Sequence, residues 1–313
     1  MAYSLYNKPY RTYVDLVQHL QAKNLTVTDT AKAQEILKKI NYYRFKIYLR
    51  PFLDQPTNTY RQGATFEQGL ELYRFDDELR DLTFKLIGRL EIKLRSRLDQ
   101  TISEHLNDPF WYLNSFIFEN DFNMNSIASK IGTSFQFSRD DFTNNFKSKY
   151  FNEANDGFKH LPPFWIAAEL TTFGTILSLY KAIDKNKFNN PPHLNKLDIL
   201  SKEFGARNIR TLNSWLTLIR DVRNRCAHHS RLWNCNYRQP GGVFGMLDQR
   251  YQPRNRNRIY LFFAVLHIMC KNIDIPANMK VSLQGLIQKY PAVVPYLPSI
   301  GFHPGWALDQ IWN

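Results

Sequence analysis

The amino-acid sequence predicts an all-α protein, and three observations support this prediction. Apolar residues recur at helical spacing along most of the chain, while the strict alternation that is typical of β-strands is scarce. Hydrophobic residues make up 43% of the 313 residues, which is enough for a substantial core. Charged residues make up 22%, an ordinary fraction that argues against a disordered chain. We predict two parts, a small N-terminal helical unit over residues 1–60 and a larger helical domain over 61–313.

The N-terminal unit is predicted from two amphipathic segments and an aromatic, basic one. Residues 12–24 carry apolar side chains on one face, and the next helix has Thr28 or Asp29 as its N-cap. Residues 41–54 are rich in Tyr, Phe, Lys and Arg. The stretch 54–63, which contains Pro, Asn and Gly, predicts a loop or a linker.

The larger domain is predicted from one long helix and several shorter ones. In the long helix an apolar residue recurs at every fourth position, at Leu82, Leu86, Leu90, Leu94, Leu98 and Ile102. Two prolines favour a helix start in 161–183, and Gly205 favours the end of a helix over 193–205. Residues 118–160 show only a weak pattern. Further helices are predicted over 209–229, 257–272 and 278–290.

Charge and cysteine content restrict the partners and the location of the protein. The net charge of +13 indicates a polyanionic partner, either nucleic acid or an anionic membrane surface. Three cysteines give neither a disulfide framework nor a metal-finger spacing, which favours a reducing, cytoplasmic location. The N-terminus has no apolar signal core, and the longest apolar run, 259–270, is too short to span a bilayer. We therefore expect a cytoplasmic protein that does not enter a membrane.

The most unusual stretch is RDVRNRCAHH, residues 220–229, where three arginines and two histidines are opposed by one aspartate. Because a helix turns by about 100° per residue, Asn224 and His228 share the face opposite the apolar stripe around Ile219. Arg223 falls about 40° from the centre of that stripe. Its long stem can follow apolar surface and bring the guanidinium out into a groove.

These side chains are suited to cutting RNA without a metal or another cofactor. A histidine can accept the proton of the ribose 2′-hydroxyl, or donate one to the leaving 5′-oxygen, near neutral pH. An arginine fork can hold the phosphate, and an asparagine can orient either group. Acid and base together need two groups, which a two-fold homodimer would supply. The alternative is an ordinary solvated helix face. A metal site at His228 and His229 is disfavoured, because adjacent residues diverge on a helix.

Arginines are concentrated around this stretch. Eleven arginines and no lysine lie between residues 207 and 258, opposed by two aspartates. Arginine favours bidentate contacts to phosphate, and interleaved aromatic residues can stack on unpaired bases. These aromatic residues are Trp233, Tyr237, Phe244 and Tyr251. The predicted RNA-binding residues are Arg220, Arg225, Arg231, Arg238, Arg254, Arg256 and Arg258. The alternative is a flexible, solubilising loop.

Residues 223–234, RNRCAHHSRLWN, resemble the signature of the Abi family of abortive-infection proteins, of the AbiD/AbiF type. The Arg-Asn-x3-His spacing within them is similar to that of HEPN-type ribonucleases. Four further blocks agree in order, so the resemblance covers nearly the whole chain. They are INYYRFKIYLRPF (40–52), LYRFDDELRDLTFKLIGRLEIKLRSRL (72–98), PPFWIAAELTTFGTILSLY (162–180) and GFHPGW (301–306).

The resemblance implies a HEPN-like helical-bundle core, a homodimer, and metal-independent RNA cleavage in phage defence or in a toxin–antitoxin system. It also implies a small regulatory RNA as a partner besides the substrate RNA. The residues that match the catalytic motif are Arg223, Asn224 and His228. Glu91 and Glu169 match acidic positions of the family. Either can orient the motif arginine or pair with a nearby charge such as Arg95, and the simple pairing is favoured.

Two other classes of function stay open. One is a non-catalytic RNA-binding module that holds a small regulatory RNA through phosphate contacts alone. The other is a protein-interaction scaffold whose basic patch meets an acidic partner.

Overall fold

A computed structural model describes residues 3, 5–7, 9–153, 156–190, 194–243, 245, 247 and 257–312. Over this part of the chain the protein is helical, apart from two antiparallel hairpins whose strands are two residues long. The predicted all-α class is therefore confirmed. The chain divides into two compact units. The first comprises Met1–Arg80 and Val281–Ser299, and the second comprises Asp81–Lys280 and Ile300–Asn313.

The bounds of the helices and strands are as follows in chain order. The α-helices are α1 (Tyr13–Gln21), α2 (Thr30–Lys39), α3 (Tyr42–Leu49), α4 (Phe66–Leu106), α5 (Met124–Phe137), α6 (Asp141–Lys149), α7 (Phe164–Leu170), α8 (Phe173–Ala182), α9 (Lys196–Glu203), α10 (Ile209–Ala227), α11 (Ile259–Asn272) and α12 (Met279–Lys289). The strands are β1 (Leu53–Asp54), β2 (Thr59–Tyr60), β3 (Asn189–Asn190) and β4 (Leu194–Asn195). Short 3-10 helices connect several of them, and the longest is Pro291–Ile300.

Polar side chains start the first three helices of the first unit. Thr12, Asp29 and Asn41 each accept a hydrogen bond from a backbone N–H in the first turn of α1, α2 and α3. Asp29, rather than Thr28, is therefore the N-cap of α2. The stretch 54–63, predicted to be a loop or linker, contains the turn and the second strand of the β1–β2 hairpin.

A buried ionic network fastens α3 to α4 within the first unit. The Tyr48 hydroxyl donates to Asp76 Oδ2 at 2.6 Å, and Arg80 Nη1 donates to the same oxygen at 2.7 Å. All three side chains are buried. Burial and the Asp76 carboxylate raise the pKa of Tyr48, so the hydroxyl stays protonated and acts as a donor. The network joins two of the sequence blocks that resemble the Abi family.

The second unit is built around apolar faces that the sequence pattern predicted. On α4, residues Leu86, Leu90, Leu94, Leu98 and Ile102 are buried as predicted, and only Leu82 is partly exposed. Helix α10 packs against α8, α9 and α11. The chain segment that follows α10 is fastened to it by a hydrogen bond from Trp215 Nε1 to the Gly241 carbonyl, at 2.7 Å. None of the helices in the described ranges is long and apolar enough to cross a membrane.

Helix boundaries differ from the prediction in two regions. Residues 161–183, predicted as one helix, form α7 and α8, because Thr172 leaves the helical conformation and caps α8 with a bond from the Thr175 N–H at 3.2 Å. The weakly patterned stretch 118–160 contains α5 and α6. Gly205 follows α9 with a φ of +78°, in agreement with the predicted helix stop.

Candidate active site

Helix α10 presents its functional side chains on the side away from the core. Ile219, Val222 and Cys226 are buried, while Asn224 and His228 are exposed, as their spacing predicts. Neither the Asn224 amide nor the His228 ring forms a hydrogen bond to another described residue. Both side chains are therefore accessible to a ligand.

The C-terminal end of α10 has a specific capping geometry. The N–H of Ser230 donates to the Arg225 carbonyl at 2.7 Å, and the N–H of His229 donates to the Cys226 carbonyl at 2.9 Å. This pair of bonds is a Schellman cap, and His229 occupies its left-handed position with a φ of +50°. The helix therefore ends at Ala227 and not at His229 as predicted, and His228 is the C-cap residue.

Arg223 is held from the side by a buried carboxylate. Its Nε donates to Glu91 Oε1 at 3.1 Å, and the Glu91 side chain is only 12% exposed. Arg95 lies further from the same carboxylate, with Nη2 at 4.0 Å from Oε2. Glu91 therefore takes both of the roles that the sequence left open, since it pairs with Arg95 as favoured and also holds Arg223, at the shorter distance. Glu169 is exposed on α7 and forms no hydrogen bond or ion pair with a described residue.

The outer edge of the Arg223 guanidinium remains accessible. Neither Nη atom forms a hydrogen bond to a residue in the described ranges, and the side chain is 32% exposed. The central Cζ atom of the guanidinium lies over the Phe84 ring, 5.9 Å from the ring centroid. Glu91 and Phe84 therefore fix the position of the group, while the two Nη atoms can meet an anion.

A second group of cations lies beside α10, with one member each on α10, on α8 and in the segment after α10. Arg220 Nη2 is 2.8 Å from Asp221 Oδ1, and Arg238 Nε is 3.9 Å from Asp221 Oδ2. Lys181, on α8, donates to the Thr217 hydroxyl. Burial lowers the pKa of Lys181, and the positive charges of Arg220 and Arg238 lower it further. We call Lys181, Arg220 and Arg238 the Lys181 cluster. It has three cations around a single carboxylate, so it attracts anions.

Several other predicted RNA-binding arginines contact the protein itself. Arg225 Nη1 donates to the Arg231 carbonyl at 3.3 Å, and its guanidinium lies over Tyr237, with Cζ 5.4 Å from the centroid. Arg258 donates to Asn234 Oδ1 at 3.2 Å. Arg225 and Arg258 therefore help to hold the segment after α10. The side chain of Arg231 is partly exposed.

The predictions for the aromatic residues and the last arginines of this segment can be compared with the structure only in part. Trp233 and Tyr237 are buried, so the idea that their rings stack on bases is wrong: both belong to the core of the second unit. The remaining predicted residues, Arg254, Arg256, Phe244 and Tyr251, lie outside the described residues.

The sequence analysis missed the neighbours that complete the site. Lys181 and Phe84 belong to other helices, and no local pattern marks them as neighbours of α10. Lys181 stands 36 residues before its partner Thr217, and Glu91 stands 132 residues before Arg223. Among the described residues, no group of three His, Cys, Asp or Glu side chains could hold a metal ion.

Comparison with known proteins gives one match. A protein-family model described as Abi-like protein matches residues 35–234. The matched range contains Glu91, the Lys181 residue of α8, and all of α10. No curated protein and no solved structure matches the chain.

Proposed function

The chain belongs to the Abi-like protein family, and from this premise we propose that it is a metal-independent endoribonuclease. Membership of the family supports a role in abortive infection. The proposed cleavage of RNA would serve phage defence or a toxin–antitoxin system. The observation that carries the proposal is the pairing of Arg223 Nε with Glu91, which leaves both Nη atoms without a bond to a described residue, on the same helix end as the exposed Asn224 and His228.

The proposed reaction is an internal transfer at a phosphodiester of RNA. The ribose 2′-oxygen attacks the adjacent phosphorus, and a base takes the 2′-hydroxyl proton. The bond to the 5′-oxygen breaks, and an acid protonates that oxygen as it leaves. The products are a 2′,3′-cyclic phosphate and a 5′-hydroxyl, and the atoms and protons balance without a metal or a cofactor.

Each motif residue has a role in this scheme. The Nη atoms of Arg223 bind the non-bridging phosphate oxygens, where negative charge shifts in the transition state. Asn224 orients the phosphate or the imidazole. His228 transfers a proton, and the second imidazole comes from a second copy of the chain in a two-fold homodimer.

The Lys181 cluster gives the RNA a second contact. Asn224 and Arg220 are one turn apart on α10, about 6 Å along its axis. We propose that the cluster binds a phosphate next to the scissile one, on either a substrate or a regulatory RNA. Arg231, Arg254 and Arg256 remain proposed contacts of the same kind.

Two matched variants test the proposal. His228→Asn removes the proposed acid–base group, and His229→Asn changes the neighbouring histidine to a residue that tolerates a left-handed backbone. We expect His228→Asn to lower the cleavage rate of single-stranded RNA by about 100-fold or more, and His229→Asn to change it little. Wild-type cleavage should persist in excess EDTA and should stop when the substrate carries a 2′-O-methyl group.

The end groups and the binding measurements separate the rival functions. Mass spectrometry of the products should find 2′,3′-cyclic phosphate ends. Cleavage by His228→Asn at the wild-type rate would refute the proposal, as would the absence of cleavage by the wild type with every RNA offered. RNA binding without cleavage would instead support the non-catalytic module.

A further inference from the structure

We propose that the first unit binds a short segment of single-stranded RNA in a cavity lined by tyrosines and cations. The cavity has a volume of about 1210 Å³, and its lining residues all lie between Tyr6 and Tyr60. It contains no residue of α10, so it is a different site from the candidate active site. Its ligand is defined by the two kinds of side chain that line it.

Six tyrosines line the cavity, and they come from three separate parts of the chain. Tyr6 and Tyr10 precede α1, Tyr13 starts α1, Tyr42 and Tyr43 start α3, and Tyr60 ends β2. Four of these rings are exposed, including Tyr10 at 87% and Tyr43 at 56%. Exposed aromatic side chains that gather in one cavity indicate a binding surface. Their faces can stack on bases of any sequence.

Six cations line the same cavity: Arg11, Lys23, Lys38, Lys39, Lys46 and Arg50. Among the described lining residues none is Asp or Glu. Lys38 is paired with Glu35, so its charge is partly neutralised, while the other five cations form no ion pair with a described residue. His19 also lines the cavity, and its pKa is lowered by burial and then by Arg11, Lys23 and Lys46. The fields of these cations therefore converge at one place.

Cations and rings are paired at the level of single contacts. Lys46 Nζ lies 4.3 Å from the centroid of the Tyr43 ring. The Tyr42 and Tyr43 rings meet edge to face, with centroids 6.0 Å apart. A base stacked on Tyr43 would bring its own phosphate near Lys46. This alternation of ring and charge matches the repeat of base and phosphate along a single strand.

Other anionic partners fit the cavity less well. An acidic peptide would use the cations but would leave the four exposed tyrosine rings without bases to stack on. An anionic membrane binds amphipathic surfaces that lie in its plane and not a concave cavity. The volume exceeds the range of about 300–1,000 Å³ for small-molecule pockets, so a stretch of chain fits better than one nucleotide.

Photo-crosslinking locates the RNA directly. The experiment uses the full-length His228→Asn protein, so that the RNA stays intact, and a short oligonucleotide of uridines with one 4-thiouridine. After irradiation, mass spectrometry should find crosslinks in peptides that contain Tyr10 or Tyr43. Because crosslinks on α10 are scored separately, this result is independent of whether the protein cleaves RNA.

Affinity measurements with matched variants test the same contacts. Tyr43→Ala should weaken binding of the oligonucleotide by about 5-fold or more, since each stacked base contributes substantially. Lys46→Ala should reduce the slope of log K against log salt by about 0.7 for one lost phosphate contact. The controls are Tyr150→Ala, at a tyrosine that is 57% exposed in the second unit, and Lys32→Ala, at an exposed lysine of α2. Both residues lie outside the cavity, so neither variant should change the RNA affinity or its salt dependence.

Three outcomes would overturn the inference. They are the absence of crosslinks in residues 5–60, equal losses of affinity for the cavity variants and their controls, and tighter binding of polyglutamate or of phosphatidylserine vesicles than of RNA. Single-stranded DNA of the same sequence serves as a further arm. Equal affinity for DNA would mean that the cavity recognises only bases and phosphates. Weaker binding of DNA would mean that the cavity also contacts the 2′-hydroxyl of RNA.

Discussion

Replacing Glu91 by Gln tests whether this buried carboxylate positions Arg223 for binding RNA. Gln keeps the shape of the side chain and offers a carbonyl oxygen to Arg223 Nε, now 3.1 Å from Glu91 Oε1, but it removes the negative charge. The charge also opposes Arg95, whose Nη2 lies 4.0 Å away. We therefore expect a less firmly held Arg223 in an otherwise intact fold.

The expected loss of RNA affinity follows from the interaction between Glu91 and Arg223 that the substitution weakens. A hydrogen bond to a charged group contributes about 1.5–3 kcal/mol, and the Gln amide keeps such a bond because the guanidinium stays charged. Glu91→Gln removes the attraction between the two charges, which is about 1 kcal/mol for a pair in which Arg223 is 32% exposed to solvent. A loss of about 1 kcal/mol corresponds to about a 5-fold weaker RNA affinity and cleavage rate.

A double-mutant cycle separates positioning from general damage. Affinity for a 2′-O-methyl RNA is measured for wild type, Glu91→Gln, Arg223→Ala and the double variant. If Glu91 acts through Arg223, Glu91→Gln should not change the RNA affinity of a protein that already carries Arg223→Ala. An equal loss in both backgrounds would refute the reasoning, as would no loss in the wild type. Glu169→Gln is the control, because Glu169 is exposed and forms no bond with a described residue.

Three further predictions concern stability and are measured by urea unfolding. Arg80→Met should lower the free energy of unfolding by about 3–5 kcal/mol, because it removes a buried cation that lies 2.7 Å from the buried Asp76 carboxylate. Gly205→Ala should lower the free energy of unfolding by more than Gly63→Ala does. Both glycines have positive φ, but an added Cβ at Gly205 would come within 2.6 Å of a side chain of α11, while Gly63 has open space. Burial lowers the pKa of His267, so the unfolded chain takes up the proton first and stability falls as the pH falls through about 6.5. His267→Leu should lose less stability than wild type between pH 7.5 and pH 5.5.

The parts of the fold that the sequence predicts well are those that depend on local periodicity. The buried stripe of α4 and the exposed positions of Asn224 and His228 follow from helical spacing alone. The end of α10 does not follow from helical spacing. Glycine is the usual residue at the left-handed position of such a cap, and this chain has His229 there. The break between α7 and α8 does carry a local signal, the N-cap Thr172, although no glycine or proline marks it.

The candidate site was predicted only as far as one helix supplies it. Spacing identified Arg223, Asn224 and His228, but the partner of Arg223 comes from α4, and only tertiary packing brings Glu91 within 3.1 Å. Packing also overturns the prediction that Trp233 stacks on bases. The arginine-rich sequence around Trp233 suggests an exposed ring, yet the ring is buried. A polar neighbourhood in sequence therefore does not predict exposure when the segment folds back onto a helix.

Net charge predicts a polyanionic partner but does not predict where on the protein such a partner would bind. The excess of arginine between residues 207 and 258 predicted RNA contacts on and after α10, but Arg225 of α10 and Arg258, the N-cap residue of α11, donate hydrogen bonds to the protein itself. The tyrosine-lined cavity draws its cations from separate short segments, none of which is exceptional alone. If a separate RNA binds at each site, Lys46→Ala and a change in the Lys181 cluster should each weaken only one of two binding events. Losses that add in the binding free energy of one RNA would instead mean that the same RNA contacts both sites, and this distinction requires no knowledge of the RNA sequence.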